Sequence, residues 1–113
     1  MIVPKVYKNK LDKIFASALD AADPVKCVSQ HLVLEDNVLR VAKKTYDLNF
    51  YKRIFLISFG KAATQMAVGA NKVLGKGITK GIVVSNTKPQ KKISNFKFVL
   101  SSHPVPDLSL IHI

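Results

Sequence analysis

A chain of 113 residues has room for one small domain, so a two-lobed architecture would have to be completed by further chain. Its apolar residues, 48% of the total, are dispersed among charges and nowhere approach the ~18 continuous apolar residues of a membrane span, which excludes that class and leaves the cytoplasm as the default location. The net charge of +11 raises the question of nucleic acid, but only Arg40 and Arg53 carry the planar fork that reads base edges, and the lysines are spread from Lys5 to Lys97, as on a solvated surface.

In chain order, Met1 to Lys10 mixes Pro4 with lysines and has the pattern of neither a secretory signal nor a transit peptide. Leu11, Ile14, Phe15, Ala18, Leu19 and Ala22 recur at spacings of three and four, predicting a helix over Tyr7 to Ala22. Asp23-Pro24 suits the start of a second helix, with Asp23 accepting free backbone N–H groups and Pro24 at the first helical position, ending near His31. Leu32 to Glu35 and Val38 to Ala42 flank Asp36-Asn37, a pair that tolerates a tight hairpin turn, so a small N-terminal β-hairpin follows.

Ile54 to Ile57 is a continuous apolar run, the pattern of a central parallel strand covered on both faces. Gly60 breaks it, and a helical pattern runs from Lys61 to Leu74 before Gly75 and Gly77 stop it. Gly81 to Val84 is a second buried strand, Thr87 to Ser94 a lysine-rich loop, and Phe96 to Leu100 a third strand leading into His103-Pro104-Val105-Pro106-Asp107. Strand, helix and strand make a βαβ unit, so the fold class is α/β: a partial Rossmann-like parallel sheet with flanking helices. Its ligand crevice belongs at the strands' carboxyl ends.

Two segments carry candidate chemistry. Gly60-Lys61-Ala62 stands where a strand turns into a helix, so backbone N–H groups and the Lys61 ammonium converge on a site for an anion, phosphate or carboxylate. A lysine in the first helical turn opposes the helix dipole at a cost of about 0.3 to 1 kcal/mol, which a bound anion offsets. The segment lacks the spaced glycines of a Walker loop and of a dinucleotide fingerprint. His103 and Asp107 sit in a segment stiffened by two prolines, a plausible substrate wall. Cys27 is the single cysteine, so no internal disulfide or cysteine metal cluster exists; it reads as a small residue on a helix face, and His31 as a helix-end cap.

These residues resemble a known family, the type II glycerate 2-kinases whose C-terminal domain is called MOFRL. The likeness runs from Ala22-Asp23-Pro24 through Lys44-Thr45-Tyr46-Asp47-Leu48, Ile57-Ser58-Phe59-Gly60-Lys61-Ala62-Ala63 and Gly81-Ile82-Val83-Val84 to His103-Pro104-Val105-Pro106-Asp107. It implies a kinase that uses ATP and Mg2+ to phosphorylate the 2-hydroxyl of D-glycerate, with Lys61 as a catalytic residue and Gly60, Lys61, Ala62, His103 and Asp107 at the substrate. Glycerate and ATP are the expected partners, with neither nucleic acid nor membrane among them. Residues 1–107 are expected to be the beginning of the family's N-terminal α/β domain, with the MOFRL domain absent. Leu108 to Ile113 departs from the family pattern and is expected to be a non-native tail, and these residues alone are expected to show no kinase activity. Other classes compatible with the residues are a non-catalytic phosphate-sugar binder and a nucleic-acid-binding module.

Overall fold

In the computed structural model, which describes residues 4–89 and 92–101, helix α1 spans Lys5–Ala21. Its apolar positions line up as the spacing predicts, yet Leu11, Ile14, Phe15 and Leu19 are exposed and no residue of α1 is buried. Helix α2 (Pro24–His31) begins with the predicted cap: Asp23 Oδ1 accepts the Val25 N–H at 2.9 Å and Pro24 holds the first helical position. At its end His31 Nδ1 lies 2.6 Å from the Cys27 carbonyl oxygen, the local capping role expected of it. Cys27 lies on the α2 surface with Sγ donating to the Ala21 carbonyl.

The hairpin is present and gains a third strand. Strands β1 (Leu32–Glu35), β2 (Val38–Val41) and β3 (Lys44–Asp47) form an antiparallel meander, with Leu34 opposite Leu39 and Leu39 opposite Tyr46. Asp36 and Asn37 take φ of 51° and 60°, the left-handed pair that a two-residue hairpin demands. Ala42 turns the chain into β3 at φ 53°, without any of the residues that normally announce such a turn.

The second sheet holds β4 (Phe55–Phe59), β5 (Lys80–Ser85) and β6 (Phe96–Leu100), parallel and in that order, with α3 (Ala63–Leu74) joining β4 to β5. The middle strand is therefore β5, where Gly81, Val83, Val84 and Ser85 are buried. The expectation that β4 is central and covered on both faces is corrected: among the described residues it forms the edge of its sheet, and Phe55, Ile57 and Phe59 are 58%, 68% and 77% exposed. An apolar run reports that both faces suit burial; it does not report which strand occupies the middle.

Small side chains on α3 let it settle closely on the sheet. Ala63 and Ala67 pack with Val83, and Leu56, Phe96 and Phe98 close around them. Gly69 faces α2, and a Cβ there would stand 2.6 Å from the Val25 carbonyl oxygen, so hydrogen is the only substituent that fits this crossing as it stands. Gly81 plays the same part beneath the Phe96 ring, which an added Cβ would meet at 2.4 Å. A polar clip fastens the entry of β4: Thr79 donates its N–H to the Ile54 carbonyl at 2.8 Å, and its hydroxyl accepts the Ile54 N–H at 3.1 Å. No helix among the described residues is long and apolar enough to cross a membrane.

Candidate functional site

The β4–α3 turn is shaped by Gly60, whose φ of 120° lies in a region that side-chain-bearing residues avoid. Its N–H donates to the Val84 carbonyl at 3.1 Å, prolonging the β4–β5 pairing, and its carbonyl accepts the Ala63 N–H at 3.2 Å. Ser58, pointing toward α3, donates its hydroxyl to the Ala63 carbonyl at 2.8 Å and ties the strand to the helix start. Ala62 stands at the cap position and offers no side-chain acceptor, and the first turn of α3 holds no acidic residue. The helix thus opens with its positive end uncompensated by its own side chains.

Lys61 lies one residue before that cap. It is not in the first helical turn, because Gly60 to Ala62 are consumed in turning the chain. Its side chain is exposed and borders an open groove of about 820 Å³ between α3 and the loop that leads from β5 to β6. One wall is the polar face of α3, with Thr64, Gln65, Val68, Asn71 and Lys72, and Val25 of α2 stands beside it. Thr87, Lys88, Lys92, Ile93 and Ser94 form the facing wall. Buried Ser85 helps to set that wall: its Oγ accepts the Thr87 N–H at 3.3 Å and lies 3.2 Å from Thr87 Oγ1.

Among the described residues, four ammonium groups, Lys61, Lys72, Lys88 and Lys92, therefore line the groove, and no carboxylate does. Among the described residues the one ion pair joins Lys26 to Asp20, away from the groove lining, where the Asp20 hydrogen bond and charge raise Lys26 above its ordinary value. The Thr64 hydroxyl is buried without a hydrogen-bond partner among the described residues, a condition that costs about 1 to 3 kcal/mol. Such a lining attracts anions and repels cations.

Of the residues read from the sequence as site candidates, Gly60, Lys61 and Ala62 come together at the mouth of α3. His103 and Asp107 lie outside the described residues. The wall of Thr87, Lys88, Lys92, Ile93 and Ser94 and the Asn71–Lys72 end of α3 were not among the site candidates read from the sequence. The α3 residues follow Lys61 at helical spacing, a signal that could have marked them. The loop lysines carry none, since only the folded chain brings Lys88 and Lys92 beside α3. No group of three metal-ligating side chains occurs among the described residues.

Residues 10–111 match the family described as a domain of unknown function, DUF4147. The D-glycerate 2-kinase of Thermotoga maritima is 40% identical over 73 residues, which is 64% of this chain and 18% of that protein. The glycerate 2-kinase of Pyrococcus horikoshii is 26% identical over 95 residues, 84% of this chain and 21% of that protein. Among solved structures, a protein of Pyrococcus horikoshii superposes with a TM-score of 0.78 at 26% identity, over 99% of this chain and 24% of its own. The glycerate kinase of Thermotoga maritima superposes with a TM-score of 0.71 at 29% identity, over 96% and 23%. The chain thus spans about a fifth of the length of the curated relatives it matches.

Proposed function

Because this chain belongs to the DUF4147 family and is similar over most of its length to glycerate 2-kinases, we propose that it forms part of an enzyme transferring the γ-phosphoryl group of ATP to the 2-hydroxyl of D-glycerate, giving 2-phosphoglycerate. The observation that carries this reading is the Gly60-Lys61-Ala62 turn, which sets an ammonium beside an uncapped helix start at the carboxyl end of a parallel strand. Phosphoryl transfer depends on positioning and on neutralising charge more than on covalent participation by the protein. Lys61 supplies one such charge, held against the glycerate carboxylate or the phosphoryl group in transfer. Gly60 keeps the backbone low enough for the substrate to approach, since nothing lies within 4 Å of where its Cβ would be.

The groove lysines suit the phosphates of ATP. Magnesium, expected from the resemblance, requires oxygen ligands, commonly one or two carboxylates, and none of the described residues lining this groove is a carboxylate. The described residues of the groove therefore do not make a magnesium site.

A chimaera tests the proposal: residues 10–111 replace the matching segment of the Thermotoga maritima glycerate kinase, and 2-phosphoglycerate formation is followed with ATP and D-glycerate. The expected result is turnover, reduced at least about 100-fold by Lys61→Ala, the scale of removing one preorganised charge from a reacting centre. A folded chimaera with no turnover, or one indifferent to Lys61→Ala, overturns the assignment.

A further inference from the structure

Among the described residues the parallel sheet is covered on one face. Leu56 and Ser58 of β4 turn toward α3, so the alternate residues Phe55, Ile57 and Phe59 stand on the opposite face, where all three are exposed. The register sets Ile57 beside Ile82 and Val84 beside Val99, which carries the apolar surface across β5 and β6. Parallel sheets normally have both faces covered, because their crossovers lay helices on each side. The outer edge of β4 is open as well. Ile54 gives its carbonyl to the Thr79 N–H, and Gly60 gives its N–H to the Val84 carbonyl. By alternation the backbone groups of Phe55, Ile57 and Phe59 point away from β5, and no strand among the described residues meets them.

Handedness joins the two observations. The chain steps from β4 to β5 with α3 on one face, and right-handed crossovers keep each further step in that direction on the same face. A strand that follows β6 and returns to the open edge of β4 steps the opposite way. Its right-handed crossover then passes over the other face and lays its helix on Phe55, Ile57 and Phe59. We infer that this face and edge together dock one further unit, an amphipathic helix followed by a parallel strand, from the part of the family's chain that lies beyond the matched segment. About four fifths of the length of the curated relatives lies outside that segment, ample for such a unit. A second copy of this chain suits the face less well. Lys80 and Lys97 share it and each copy carries a net charge of +11, so two copies repel, whereas a helix with carboxylates beside its apolar stripe is attracted.

Amide hydrogen exchange followed by NMR tests the inference on the 113-residue chain and on the Thermotoga maritima chimaera, both without substrate. The amides of Phe55, Ile57 and Phe59 are expected to exchange at least about 100-fold more slowly in the chimaera, while those of Leu56 and Ser58, turned toward β5, are slow in both. Ile57→Thr gives a second reading. It is expected to move the Tm of the 113-residue chain by less than about 2 °C and to lower that of the chimaera by at least about 4 °C, because only there is the side chain covered. If the chimaera does not fold, the positions of the Thermotoga maritima kinase that superpose on Phe55, Ile57 and Phe59 give the same exchange reading, with protection expected. Fast exchange at these positions in the longer protein overturns the inference. So does protection in the 113-residue chain itself: if it grows with concentration a second copy is the occupant, and if it does not the chain closes its own face. The inference does not rest on the proposed reaction, since protection in a chimaera without turnover supports the docking face and overturns only the assigned activity.

Discussion

Replacing Gly69 by alanine probes the contact on which one wall of the groove depends. At an open helical position the change stabilises by about 1 kcal/mol, because glycine is the more costly residue to order in a helix. Here the new methyl carbon would lie 2.6 Å from the Val25 carbonyl oxygen and 3.1 Å from Val28 Cβ. Carbon and carbonyl oxygen normally rest about 3.3 to 3.6 Å apart, so the first turn of α2 must retreat by about 0.7 to 1 Å. The obstructing atom belongs to the backbone, and no change of rotamer relieves it. Overpacking of this kind costs about 1 to 3 kcal/mol, which exceeds the helical gain over most of its range. The expected net loss is about 1 kcal/mol, a fall in Tm of about 4 to 8 °C for a domain of this size. Thermal unfolding followed by circular dichroism measures it. A Tm equal to or above that of the parent would refute the claim that α2 and α3 are held at glycine distance.

Two further substitutions test other joints of the fold. Gly81→Ala drives a methyl group into the Phe96 ring at 2.4 Å and is expected to cost about 1 to 3 kcal/mol, read as a lower denaturation midpoint; pairing it with Phe96→Leu is expected to recover part of the loss. Asp23→Ala removes the acceptor for the Val25 N–H and is expected to cost about 1 kcal/mol, whereas Asp23→Ser, which keeps an acceptor, stays within a few tenths of the parent in the same urea titration.

Much of this architecture was legible where local chemistry determines the outcome. Asp23-Pro24 announced α2 because the cap acts within two residues, and Asp36-Asn37 announced the hairpin because few residues accept positive φ. β3 escaped as a strand because Tyr46 is the only large apolar residue among Lys44 to Asp47 and the turn before it passes through Ala42. The rank of β4 within its sheet was hidden for a different reason. Strand order is a property of chain crossings, and Phe55 to Phe59 reads the same at an edge as in the middle. Lys61 stands two residues before α3 and not within its first turn, because Gly60 to Ala62 turn the chain. The facing wall lay out of reach, because Lys88 and Lys92 join the α3 residues around one cavity only in the folded chain.

Helix α1 has a thermodynamic consequence of its own. With none of its residues buried, its 17 residues draw little free energy from the parallel sheet, and a helix of that length standing alone is marginal in water. Its fraying and the cooperative melting of the sheet are therefore separate transitions, and substitutions along Leu11, Ile14, Phe15 or Leu19 change the first without registering in the second.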